Sequence, residues 1–251
     1  MWITPGNHTQ DTSDNAAFSD GDHVYIVGGW NTDYVARSDV WRINAANVES
    51  IEIEAVTPLQ EARGDIKAAT NGKGQAFVAG GFTDQNGYCP PLRTVEQYDI
   101  ASMTWTYLDE LKSARGDKAL VEIDGHLVAI GGETQLALNC EDKHDPGEAT
   151  VVIDDVEILN DEGMWQIVAS IPDSRFRFDA VAVDNKIYTF GGQNGYDKEC
   201  QCYATSDEIL VVTDLEDEGG SDKDEGGMSG AFQYDAVTVM LSAVMGMLLL
   251  N

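Results

Sequence analysis

The chain has 251 residues, of which 43% are apolar, and it carries 44 Asp and Glu against 15 Lys and Arg, for a formal net charge of −29. That length accommodates one domain with a sizeable core, and that apolar share excludes a wholly disordered polymer. A surface this acidic repels phosphate backbones and anionic lipid headgroups, so nucleic acid is excluded as a partner. It suits cationic partners or Ca²⁺, although solvation accounts for most acidic surfaces.

Taken in chain order, strand-like runs occupy residues 15–18, 23–27, 39–43 and 50–56, then 66–70, 75–79, 94–99 and 103–108. They continue at 118–123, 126–130, 155–159 and 164–168, and end at 178–183, 186–190 and 207–212. The second run of each set ends in a glycine pair whose first members are Gly28, Gly80, Gly131 and Gly191, spaced 52, 51 and 60 residues apart. Between the first and second runs lie Gly21, Gly72, Gly125 and the Asp184-Asn185 pair, which is hairpin chemistry because these residues tolerate positive φ. Trp105 and Trp165 fall at matching places on the fourth runs, and Arg63, Arg115 and Arg175 precede the next first run. Four antiparallel strands repeating at about this period predict the blades of a β-propeller. One blade cannot cover both of its faces, whereas blades packed side by side can.

The glycine pair, the Val95-Glu96-Gln97-Tyr98-Asp99 strand, the tryptophan and the arginine together resemble the kelch repeat, over roughly residues 1–213. The resemblance implies an all-β, kelch-type β-propeller with four four-stranded repeats visible. The fourth repeat stops after its third strand, and Trp2 with its neighbours matches the tryptophan strand, so the N-terminal strand is expected to complete the last blade. Kelch propellers usually have six or seven blades, so the chain reads either as a compact four-bladed ring or as part of a longer one, the latter favoured.

Cys89, Cys140 and Cys200 each lie eight residues after their glycine pair, with Cys202 close by. In an oxidising compartment the four are candidates for disulfides between neighbouring loops, and a Cys200–Cys202 bridge is expected to be strained. Asn7 heads a glycosylation sequon. Residues 214–235 read as an acidic, Gly-rich linker, and 236–251 as a hydrophobic tail. Small residues, a polar spacer and a terminal apolar run fit a glycolipid-anchor signal better than a spanning helix. That signal requires a secretory leader, and residues 1–7 do not read as one; an upstream extension resolves both this and the blade count.

Strand alternation places Arg63, Arg115, Arg175, Arg177, Tyr34, Tyr88 and Tyr196 on the rim that also bears the cysteine loops. Tyr and Arg are enriched in binding hot spots, so these residues form the candidate ligand-binding face. Arg63 and Arg115 open two Arg-Gly-Asp tripeptides, which the repeat register explains without a ligand. The insert at 133–150 is rich in carboxylates but lacks the alternation of a Ca²⁺ loop. The resemblance extends to galactose-oxidase-like copper enzymes, whose site uses paired Tyr and His. The four histidines here, His8, His23, His126 and His144, show no such pairing. The expectation is a non-catalytic module, without cofactor or metal, that binds a protein or glycan. It is expected to be extracellular and membrane-tethered through its tail. The alternatives are an intracellular adaptor of the ubiquitin-ligase kind and a carbohydrate-active enzyme.

Overall fold

A computed structural model describes residues 11–45, 51–135 and 150–213. Blade 1 comprises β1 (Ala16–Ser19), β2 (His23–Val27), β3 (Val40–Asn44) and β4 (Ile53–Val56) in sequential order. Blade 2 comprises β5 (Lys67–Thr70), β6 (Gln75–Ala79), β7 (Val95–Asp99) and β8 (Thr104–Tyr107), with a 3-10 turn at Asp84–Asn86 between β6 and β7. In blade 3, β9 (Ala119–Ile123) and β10 (His126–Ile130) are followed by a two-stranded ribbon, β11 (Glu133–Gln135) and β12 (Thr150–Val152). The sheet resumes with β13 (Asp155–Leu159) and β14 (Trp165–Ser170). Blade 4 pairs β15 (Asp179–Val183), β16 (Lys186–Phe190) and β19 (Ile209–Thr213) around a second ribbon, β17 (Gln193–Asp197) and β18 (Cys202–Thr205). The two ribbons stand where the sequence suggested only polar loops; neither has the apolar alternation that marks a half-buried strand.

Period-two alternation explains the core. Phe18, Tyr25 and Val27 leave one face of blade 1 and meet Ile66, Ala76 and Val78 of blade 2. Phe77 and Val95 of blade 2 meet Leu120, Leu127 and Trp165 of blade 3. Val121, Val128 and Ile130 of blade 3 meet Ile187, Leu210 and Val212 of blade 4. Each tryptophan indole also reaches back to the preceding linker: Trp105 Nε1 donates to Thr57 O and Trp165 Nε1 to Asp109 O, both at 3.0 Å. The glycine pairs lie where blades approach most closely. Gly131 has φ +56°, and a Cβ on it would sit 2.7 Å from the carbonyl oxygen of Arg175.

The innermost strands pack side by side in the order β1, β5, β9, β15, and β1 and β15 make no comparable contact. The outward face of blade 4 is correspondingly open. Val181 is 46% exposed and Phe190 44%, whereas their counterparts in blade 3, Val121 and Ile130, are 5% and 0%. Three strands of blade 4 are described, and the N-terminal segment expected to supply its fourth lies outside the described residues, as do Asn7, Cys140, the linker and the tail. No helix among the described residues is long and apolar enough to cross a membrane.

The expectation that Cys200 and Cys202 pair with neighbouring loops is corrected: they form a disulfide with each other, with Cα atoms 5.3 Å apart. Gln201 takes a left-handed φ of +53°, and that turn lets both ends of the three-residue segment meet. Cys89 is also disulfide-bonded.

The open face sets a test. Val121→Asp buries a charge between blades and is expected to cost about 4 kcal/mol in urea unfolding, whereas Val181→Asp stays within about 0.5 kcal/mol of the parent.

Candidate interaction face

The β2–β3 type loops and the linkers between blades share one rim, and the three repeat arginines there, Arg63, Arg115 and Arg175, are structural. Arg63 is wholly buried; its Nη1 donates to the carbonyls of Gly80 and Thr94, both at 2.9 Å, and its Nη2 to Glu96 Oε1 at 2.8 Å. Arg115 repeats this with Gly131 O at 2.9 Å, Asp155 O at 3.0 Å and Glu157. Arg175 repeats it with Gly191 O at 3.1 Å, but its acid is Glu208, whose side chain is 59% exposed. In the first repeat Thr12 takes the position, its hydroxyl donating to Gly28 O at 2.9 Å. Arg63, Arg115 and Arg175 are therefore corrected as ligand-face residues: their guanidinium groups are consumed inside the blades. The two Arg-Gly-Asp tripeptides are closed for the same reason, and each glycine lies directly beneath a ring, Gly64 under Trp30 and Gly116 under Phe82.

Two residues beyond each of these positions stand Asp14, Asp65, Asp117 and Arg177, all with φ between +50° and +54°. Their backbones form an arc: Asp65 N donates to Asp14 O at 3.0 Å, Asp117 N to Asp65 O at 3.1 Å, and Arg177 N to Asp117 O at 2.8 Å. The side chains gather at the mouth. Trp30 Nε1 donates to Asp65 Oδ2 at 3.1 Å, and Arg177 Nε donates to Asp117 Oδ2 at 2.9 Å. Glu133, one residue past its glycine pair, joins them from blade 3.

Burial, with the charges of Asp117 and Asp14 beside it, pushes the Asp65 carboxyl up to about 7. Burial and Asp117 push Glu133 up to about 7 as well. Burial raises Asp117 too, against the pull of Arg177. Lys118 is fully buried and donates to Ala79 O; burial and the nearby charges of Arg63 and Arg115 bring its amine down to about 7.

Beside the mouth, blades 1 and 2 carry an aromatic shelf. Tyr34 is 67% exposed and Tyr88 39%. The Tyr88 hydroxyl donates to Tyr34 O at 2.6 Å, and its ring lies 5.5 Å from that of Trp30. Both tyrosines occupy the left-handed region, with φ of +56° and +68°. Asn31 Oδ1 accepts from the backbone of Asp33 and Val35, each at 2.9 Å, and holds the first loop. Across the rim, the Arg177 guanidinium lies 5.1 Å from the Phe176 ring centre. Half-buried Tyr196 packs 5.1 Å from Tyr203, away from Tyr34 and Tyr88.

Thus the expected face divides: Tyr34 and Tyr88 meet, Arg177 joins the mouth, and Tyr196 belongs to the ribbon of blade 4. Sequence reasoning missed Trp30, Asp65, Asp117 and Glu133 as rim residues. Their signal was repeat register, two places after the arginine or one after the glycine pair. Among the described residues no group of His, Cys, Asp and Glu is arranged to hold a metal ion. His23 and its partner Asp20 sit at the opposite end, at the β1–β2 turn.

This blade architecture is that of known propellers. The solved structure of YjhT superposes with a TM-score of 0.64 at 13% identity, covering 80% of this chain and 63% of that one. A kelch-motif family model matches residues 174–206. Kelch-like protein 40 of Xenopus laevis is 31% identical over 109 residues, which is 43% of this chain and 16% of the relative. Human Kelch-like protein 23 is 27% identical over 175 residues, 69% of this chain and 28% of the relative. An F-box/kelch-repeat protein of Arabidopsis thaliana is 27% identical over 125 residues, 49% of this chain and 30% of the relative. The chain spans less than a third of the length of these curated relatives. Residues 174–206 thus match a kelch motif, and the four registered blades are similar to those of kelch-repeat proteins.

Two measurements probe the site's electrostatics. Arg115→Ala strands Glu157 in the core and is expected to cost about 3–5 kcal/mol in urea unfolding; Arg175→Ala costs less, because Glu208 keeps its water. The second is pH dependence. Asp65 binds its proton more tightly folded than unfolded, so its penalty is absent below pH 4 and complete above pH 7. Lys118 binds its proton more weakly folded, so its penalty is complete below pH 7 and fades toward pH 10.5. Asp65→Asn is therefore expected to raise the unfolding midpoint at pH 8 and not at pH 4, and Lys118→Met to raise it more at pH 6 than at pH 10.

Proposed function

We propose that the chain is a non-catalytic kelch-repeat interaction module that binds a protein or glycan through the rim bearing Tyr34, Tyr88 and Arg177. The observation that carries this reading is the pair of exposed tyrosines, fixed by hydrogen bonds in backbone conformations that non-glycine residues rarely adopt. Such outliers persist where surrounding structure over-determines them, and they concentrate at binding sites. Tyrosine supplies a large contact area with few rotamers to freeze. The mouth's polar groups bond to one another and to backbone, which suits recognition.

We further read the module as extracellular and membrane-tethered. The Cys200–Cys202 bridge and the apolar run at 236–250 support that setting. The relatives named Kelch-like and F-box/kelch-repeat favour a second reading, an intracellular adaptor. Alkylation of the native protein separates the two. Bridged cysteines fit the tethered module, and free thiols fit the adaptor.

The rim is tested by affinity capture on the full chain. Tyr34→Ala/Tyr88→Ala is expected to lower retention of the bound protein or glycan at least tenfold. Tyr107→Ala, which removes a half-exposed tyrosine from the edge strand β8, leaves it unchanged. Equal retention by all three removes the rim as the binding face.

A further inference from the structure

We propose that the Tyr34–Tyr88 shelf docks a basic segment of a partner protein, with an arginine or lysine laid against the tyrosine rings. The inference rests on the interaction-module reading and names the partner's chemistry.

The shelf is an exposed apolar patch with a consistent electrostatic frame. Tyr34, Val35 and Tyr88 are its exposed surface. Asp33 precedes Tyr34 in the chain and is exposed, and Asp84, on the neighbouring blade's loop, accepts from Ala36 N at 2.7 Å. Asp65 accepts from the Trp30 indole N–H at 3.1 Å. The two cations on these loops are already committed. Arg37 is held by Asp39 at 2.7 Å, and Arg93 donates to Leu111 O at 2.6 Å and faces Glu110 at 3.8 Å. An acidic peptide would meet uncompensated like charge here. A neutral peptide would gain contact area and leave the carboxylate field unused. A basic segment satisfies both: its alkyl stems cover the tyrosines, its cation meets the negative ring faces, and the carboxylates stand within a Debye length.

The shelf is also built before any ligand arrives. The Tyr88 hydroxyl anchors on Tyr34 O, and Tyr34 N returns to Asn31 O at 3.0 Å. Tyr88 N donates to Thr83 O at 3.0 Å. Little ordering is left to occur on binding, so contacts to the rings convert to affinity with small loss.

A chain of net charge −29 attracts any polycation, so the test must separate the shelf from the general field. The probe is a fluorescein-labelled peptide of alternating Arg and Gly, read by anisotropy with the full chain at physiological salt. A Glu-Gly peptide is the control. The Arg-Gly peptide is expected to bind and the Glu-Gly peptide not to bind. Tyr34→Ala/Tyr88→Ala, which leaves net charge unchanged, is expected to weaken binding about fivefold to tenfold. Tyr34→Ala alone, at the more exposed ring, is expected to weaken it about threefold, and serves if the double variant misfolds. Tyr107→Ala should have no effect. Equal binding by the parent and both shelf variants overturns the proposal in favour of general attraction, and so does failure of the Arg-Gly peptide to bind. Capture of a partner whose retention depends on Tyr34 but whose bound segment is acidic overturns the basic class and leaves the interaction face standing.

Discussion

The joint on which this propeller depends is one arginine residue used twice. Its backbone carbonyl accepts from the glycine pair of the preceding blade, as Arg63 O does from Gly29 N and Arg115 O from Gly81 N, both at 2.9 Å. Its side chain then turns into its own blade and ties the ends of two strands together. A buried guanidinium is costly unless nearly every donor is used and its charge is matched. Glu96 and Glu157 meet that demand, and each also accepts backbone N–H groups of the linker, Gln60 and Glu61 for one, Lys112 and Ser113 for the other. The pair thus fixes where a linker ends and a blade begins. Blade 4 keeps the arginine but holds it with an exposed acid, so its joint is weaker at the end of the arc where the sheet face is open.

That joint also decides what the rim displays. With the arginine drawn inward, the residue two places on is carried to the mouth in a left-handed conformation. Three repeats place aspartate there and the fourth places arginine. Arg177 neutralises Asp117 beside it, while Asp65 and Glu133 remain crowded enough to hold protons near neutral pH. The mouth is therefore acidic but not maximally charged, and its field is graded from blade 4 toward blade 1, where the tyrosines stand.

Much of this was legible in the residues. Glycine pairs, hairpin turns and tryptophans at matching places gave the blades, because each encodes a local geometry that repeats. The arginine positions were visible as well, but not their role. The carboxylate that buries Arg63 lies 33 residues away on β7, and sequence spacing carries no information on which side of a strand faces a linker. The Cys200–Cys202 bridge was misjudged because its feasibility turns on one dihedral, that of Gln201. The ribbons β11–β12 and β17–β18 escaped because strands outside a core need no apolar alternation. Tyr34 and Tyr88 were found by residue type and loop register, and their contact by neither: the hydroxyl of one reaches the backbone of the other across two blades.

The same distinction between reach and geometry bears on selectivity. The charge of the whole chain acts at long range and without discrimination; it accelerates encounter with any cation and fades with salt. Discrimination has to come from groups whose positions are fixed at contact distance. Among the described residues of the rim, the two exposed tyrosines are held this way, by the Tyr88 hydroxyl on Tyr34 O and by backbone hydrogen bonds that close their loops. Salt that screens the field leaves those loops intact. A partner chosen by the shelf would lose association rate at high ionic strength sooner than it loses residence time, which is the kinetic signature that separates a docking surface from an acidic coat.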